Sequence, residues 1–230
     1  EDPAVHGGRT RRVAHVEGNY PTLIYLPVRA SQQWRKQAEL CASLLRGLAP
    51  NGSAAEVHFT DAEMGAGWHV SLGPLLMLRR QFIEPFLESL RRVVASSNVF
   101  VDEVTFQDSM EVLSSVEGDR YFAGVGLDDA SATWVRRIAE AVMKAAKDFG
   151  LIEDIPPVEP MRLHCSLAWT ITDVRPGLQE RGAALQESSW GRSWSLEATC
   201  PDLRSPCSAL EVRIGERKTA LCFPDKKPIV

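Results

Sequence analysis

The sequence predicts an α+β fold of two pseudo-symmetric lobes, each an antiparallel sheet with helices, arranged around a central cleft. Three observations lead there. Strand-like segments alternate with amphipathic helical ones, and the order strand, helix, strand, helix, paired strands runs through the chain twice. A five-residue motif, His-x-Ser-Leu-(Gly/Ala), occurs once in each run, as "HVSLG" from His69 and "HCSLA" from His164.

Residues 1–20 are expected as an N-terminal arm. "TLIYLPV" (Thr22 to Val28) carries the β-branched and aromatic residues of a strand. In "SQQWRKQAELCASLLRGL", Ser31 can cap a helix on which Trp34, Ala38, Cys41, Leu44, Leu45 and Leu48 recur at helical spacing. "PNGS" breaks the chain, and "EVHFT" and "WHVSLG" are short strand candidates. "MLRRQFIEPFLESLRRVVASS" reads as a helix whose Pro85 either kinks it or marks its true start. "VFVDEVTF" and "SMEVLSSVEG" then read as a hairpin turning around Gln107 and Asp108.

The second run opens with the strand "RYFAGVGL" and the helix "DASATWVRRIAEAVMKAAKDFGL", with Gly150 as its C-terminal glycine. A strand "MRLHCSLAW" and a helix "PGLQERGAALQESS" follow. Strands "WSLEAT", "SALEVRIG" and "TALCFP" close the chain, the last two as a hairpin through Gly215, Glu216 and Arg217. Tyr25 precedes His69 by 44 residues and Tyr121 precedes His164 by 43, which suggests equivalent places in two copies of one unit. The expected organisation is one bilobed domain, 21–117 and 188–230 with 118–187, built from duplicated units of about 21–117 and 118–230.

Composition narrows the classes of function. A 44% hydrophobic content over 230 residues supports a core, and no apolar run approaches the ~20 residues of a bilayer span. The opening "EDPAVHGG" lacks an initiator Met, so the expectation is a start inside a longer protein. Five widely spaced cysteines without a Cys-x-x-Cys pair read as reduced thiols of the cytosol or nucleus. A net charge of −4 excludes a protein that coats long nucleic acid but allows a site for one or two nucleotides. Arg9 to Arg12, Arg79–Arg80 and Arg91–Arg92 either add local positive potential or are solvated faces.

Side chains on a strand alternate, so His69 and Ser71 share one face, His164 and Ser166 share another, and Cys165, Leu167 and Trp169 point away from the latter. Two lobes related by a pseudo-twofold axis would gather two imidazoles and two hydroxyls at one cleft, a constellation the size of a phosphate. One imidazole can take a proton from an attacking hydroxyl while the other gives one to the leaving oxygen. In RNA the 2′-OH is that hydroxyl. Its in-line attack expels the 5′-oxygen and leaves a 2′,3′-cyclic phosphate, while the serines donate hydrogen bonds to the non-bridging oxygens.

Blander readings compete. His58-Phe59-Thr60 matches His-x-Ser/Thr outside the duplicated position, and reads as a decoy. Cys165 as a thiol nucleophile is opposed by its facing away from the histidine. Gly-x-Ser-x-Gly, His-x-x-x-His and Cys-x-x-Cys are absent, so neither a serine hydrolase elbow nor a metal site is supported, and no metal or cofactor is expected. Trp68 and Trp169 flank the motifs but are assigned to core packing.

On the paired His-x-Ser strands the chain resembles the two-histidine (2H) phosphoesterases, whose bilobed α+β fold sets two such motifs across a cleft. "GRTRRVAHVEGNYPTLIYLP", "WHVSLGPLLMLRRQFIEPF", "DRYFAGVGL", "RLHCSLAW" and "LEVRIGERKTALCFP" together resemble the Usb1/Mpn1 proteins, phosphodiesterases that finish the 3′ end of U6 small nuclear RNA. The resemblance implies a nuclear, monomeric 3′-5′ exoribonuclease, free of cofactor and metal and not bound to membrane. It would trim the oligouridine tail at an RNA 3′ end and leave a 2′,3′-cyclic phosphate or a 3′-phosphate. Carried over by motif, His69 and His164 are the catalytic pair, with His164 as base and His69 as acid, and Ser71 and Ser166 bind the phosphate. Related members place a base-stacking aromatic shortly before the second motif. Here "IPPVEPMRLHCS" has Val158 near that place, and Tyr121 is the substitute candidate for substrate binding. Two rivals stay open: a 2H enzyme acting on cyclic phosphates or 2′-5′ oligonucleotides, and a non-catalytic nucleotide-binding module.

Overall fold

Strand β1 (Asn19–Pro27) is buried through its centre on both faces, as a strand inside a sheet must be, and it begins two residues within the expected arm. The computed structural model describes residues 17–50, 55–60, 66–97, 103–153, 161–188, 191–199 and 202–224. Helix α1 (Gln32–Leu48) starts where the Ser31 side chain accepts the Trp34 amide, 3.3 Å. It buries Trp34, Ala38, Cys41, Ala42, Leu45 and Leu48 against the sheet, each large side chain contributing about 1.5–3 kcal/mol.

Then come β2 (His58–Phe59), β3 (His69–Ser71) and β4 (Leu76–Arg79), a 3-10 turn at Arg80–Phe82, and α2 (Ile83–Ser96). Met77, Leu78 and Arg79, expected as helix, instead pair with β1. Pro85 falls in the first turn of α2, where a helix has no use for its missing N–H, so it marks a start rather than a kink.

The expected hairpin at Gln107 is one long strand, β5 (Glu103–Ser114). Its register against β6 (Tyr121–Leu127) shifts between Phe106 and Met110, so the polar Gln107, Asp108 and Ser109 form an irregularity in a continuing strand instead of a turn. Helix α3 (Asp129–Asp148) is capped by Asp128 and ends at Gly150, φ +66°, as its sequence demands.

Next are β7 (His164–Thr170), α4 (Arg175–Glu180), β8 (Ala184–Ser188) and β9 (Gly191–Thr199). The predicted helix at 176–189 therefore stops at Gly182, φ +65°, and its second half pairs with β9 despite good helix formers, because ladder pairing outweighs local propensity. Finally β10 (Arg204–Pro206) pairs with β5, and β11 (Ala209–Ile214) and β12 (Arg217–Cys222) form the expected hairpin. Among the described residues no helix is long and apolar enough to cross a membrane.

The main sheet runs β12-β11-β1-β3-β7-β6-β5-β9-β8, with every pair antiparallel. A pseudo-twofold between β3 and β7 relates β1 to β6 and β11 to β5. The two units expected from the sequence interleave in this order. The last strand of the first unit, β5, lies beside β6, and the closing hairpin of the second lies beside β1. The two motif strands meet at the centre of a single sheet.

Candidate active site

Val70 pairs with Cys165 across the β3–β7 junction. Extending this antiparallel register by one residue each way sets His69 against Ser166 and Ser71 against His164. Each histidine therefore faces the serine of the other motif, and the two imidazoles are diagonal neighbours with Cα atoms about 7–8 Å apart. All four side chains are half-buried on the wall of one cleft of about 600 Å³, while Val70 and Cys165 point into the core.

Both rings are tethered alike. His69 Nδ1 lies 2.7 Å from the Gly67 carbonyl and His164 Nδ1 lies 2.6 Å from the Arg162 carbonyl, in each case two residues back. A carbonyl can only accept, so each Nδ1 is the protonated nitrogen and each Nε2 is left to deal with whatever enters the cleft. Burial lowers the pKa of both. For His69 the charge of His164 lowers it further while the hydrogen bond to Gly67 opposes. For His164 the bond to Arg162 and the charge of Glu111 raise it, and the Arg162 charge lowers it.

Among the described residues Arg120, Arg136, Arg162 and Arg192 line the cleft, Arg120 paired with Asp119 at 3.7 Å, Arg162 with Glu111 and Arg192 with Glu187 at 2.7 Å. The guanidiniums surround the cleft with hydrogen-bond donors suited to an anion. No three His, Cys, Asp or Glu side chains converge as metal ligands among the described residues.

Tyr121 does not face the cleft. It is buried to 1% exposure, and its hydroxyl donates to Asp173 at 2.9 Å. Nor is it the counterpart of Tyr25: Tyr25 pairs with Ser71, and the residue that pairs with Ser166 is Gly124. The matching tyrosine spacings were coincidental. Val158 lies outside the described residues, as do Arg9 to Arg12. Cys165 is buried and its thiol pKa is pushed far up by desolvation, which leaves no thiolate for attack.

Phe122, the neighbour of Tyr121, is half-buried and lines the cleft with the Arg120 guanidinium 5.9 Å from its ring centroid. Strict alternation along β6 puts Phe122, Gly124 and Gly126 on the motif face, and this signal was open to a sequence reading. Trp169 was not legible in that way. The β6–β7 register shifts between Ala123 and Gly124, so Trp169 comes opposite Phe122 and lines the cleft floor, stacked at 4.4 Å on His58. The decoy motif has a supporting part: Thr60 Oγ1 donates to the Ser166 carbonyl at 2.6 Å. A Cβ at Gly124 would strike the Cys165 carbonyl oxygen, so only glycine lets β6 lie this close to Ser166.

Fold and site together define an α+β protein that presents two His-x-Ser strands on one arginine-lined cleft. The chain belongs to the HVSL family, described as an uncharacterised conserved protein, whose model matches residues 1–222. The family's four letters are spelled by His69 to Leu72. The chain is 30% identical over 187 residues to mouse U6 snRNA phosphodiesterase 1, covering 81% of this chain and 63% of that protein. It thus spans just under two thirds of that relative's length. The Neurospora crassa protein of the same name is 25% identical over 260 residues, covering 98% of this chain and 70% of its own. Among solved structures, Kluyveromyces marxianus Usb1 superposes with a TM-score of 0.62 at 13% identity, over 88% of this chain and 98% of that one. A second structure of that yeast protein contains uridine monophosphate, with a TM-score of 0.61 at 13% identity over 89% and 97%.

Proposed function

We propose that this chain is a metal-independent 3′-5′ RNA phosphodiesterase that trims terminal uridines, with the U6 small nuclear RNA 3′ end in the nucleus as its setting. The observation that carries the reading is the pair of Nε2 atoms, each freed by a backbone tether, directed at one cleft across two adjacent strands. Relatives named U6 snRNA phosphodiesterase 1 support the substrate class. Mechanistically, His164 takes the proton of the 2′-OH on the penultimate ribose, a bond forms from O2′ to phosphorus, and the bond to the 5′-oxygen of the last nucleotide breaks. His69 protonates that oxygen. The last nucleoside departs and the RNA keeps a 2′,3′-cyclic phosphate. Ser71 and Ser166 hold the non-bridging oxygens, and Phe122 offers the terminal base an aromatic face.

The test is digestion of a uridine-tailed RNA, the same RNA already closed as a cyclic phosphate, and a 2′-5′ linked oligomer, with mass spectrometry of the new terminus. Shortening of the uridine-tailed RNA alone is expected. Turnover confined to either of the others assigns a different substrate, and tight binding of uridine monophosphate without turnover of any assigns a binding module.

A pH dependence follows from the two lowered histidines. Turnover needs one imidazole neutral and one protonated, so kcat/KM rises and then falls with pH. Both rings of the free site titrate below the ordinary 6.5, which puts the maximum of kcat/KM on the acid side of 6.5. A bound phosphodiester favours protonated imidazole, so the kcat profile moves to higher pH. A kcat/KM optimum well above 6.5 contradicts this pairing of acid and base.

A further inference from the structure

The pseudo-twofold fails at one point beside the catalytic pair. Two residues before His69 stands Gly67, and two before His164 stands Arg162, so only the second motif carries a cation on its cleft face. The Arg162 side chain is 34% exposed, and it rests on Glu111, whose side chain is 1% exposed. Nε reaches one carboxylate oxygen at 3.2 Å, Nη2 reaches the other, and Nη2 also donates to Ser195 Oγ at 3.3 Å.

The sheet is built to admit this carboxylate. Glu111 pairs with Gly124 on one side and Ser195 on the other, and a Cβ at Gly126 would lie 3.2 Å from Glu111 Oε1. In the first motif the carboxylate at the corresponding ladder position, Glu211, accepts instead from the hydroxyl of Tyr25 at 2.7 Å, whose ring lies 5.0 Å from His69. With Nε and Nη2 clamped from below, the fork is fixed and Nη1 has no acceptor among the described residues.

We propose that Arg162 is a further phosphate-binding residue, presenting Nη1 to the scissile phosphate on the His164 side of the cleft, and that Glu111 is its positioning residue. This rests on the phosphodiesterase reading for the identity of the phosphate. A planar fork held on two edges offers the third without further ordering, which a lysine ammonium does not do.

The experiment titrates uridine and uridine 3′-monophosphate into wild type and variants, with thermal melting as the control for folding. Arg162→Ala is expected to weaken the monophosphate by roughly ten- to a hundredfold, as loss of a hydrogen bond to a charged group does, and to leave uridine unchanged. Arg162→Lys restores only part of the loss, and Glu111→Gln weakens the monophosphate selectively. Because either single change strands a charge, E111Q with R162Q is measured alongside. This pair leaves no buried charge unpaired and shows the same selective loss. Unchanged affinity for the monophosphate, or equal losses for both ligands, overturns the assignment. Binding needs no turnover, so this outcome is independent of whether the wild-type protein shortens any RNA.

Discussion

His69→Ala and His164→Ala are each expected to lower kcat on a uridine-tailed RNA by about a thousandfold or more, within the range of general acid–base catalysis at the upper end. The two losses do not add. Base and acid serve one displacement, so the double variant is expected to be barely slower than either single one. Affinity for uridine 3′-monophosphate is retained in both, because Ser71, Ser166 and the cleft arginines remain. Both rings line the open cleft, so alanine widens it rather than leaving a closed cavity, and melting temperatures change little. Stopped or single-turnover kinetics decide this. Near-normal turnover in either variant removes that histidine from the chemistry.

Of comparable size is the effect of one missing oxygen in the substrate. An RNA with 2′-deoxyribose only at its penultimate nucleotide is expected to resist removal of the last one, since the attacking hydroxyl belongs to the substrate and no side chain replaces it. The same substitution at the last nucleotide leaves cleavage close to normal, because that ribose departs with the leaving group. Efficient release from the penultimate-deoxy RNA would falsify internal attack and point to water as the nucleophile. In this pair of substrates the protein is identical, so folding plays no part in the comparison.

The histidines were legible because repetition is a sequence property. A His-x-Ser/Thr triplet is common, as His58-Phe59-Thr60 shows, whereas His, Ser, Leu and a small residue at one spacing in both runs single out two strands. The helix capped by Ser31 and the one ended by Gly150 were equally legible, since terminal residues and amphipathic spacing are local. Errors came where local signals were silent. Gln107 to Ser109 looks like a turn and is an irregularity within β5, and Ala184 to Ser188 looks helical and is a strand. In both cases ladder hydrogen bonds decide the matter, β5 taking them from β9 far along the chain and β8 from β9 directly after it.

By itself, then, the order of residues determined the α+β plan, the two repeated His-x-Ser motifs and the face on which their side chains lie, because alternation along a strand requires nothing beyond the strand. Tertiary structure decided how the copies meet. It made one sheet of them, set His69 beside Ser166 and His164 beside Ser71, turned Trp169 to the cleft floor and set Arg162 on Glu111, 51 residues away in sequence. Register, bulges and charge pairing belong to contacts between distant segments, and the free energy of such contacts exists only once the chain has brought them together.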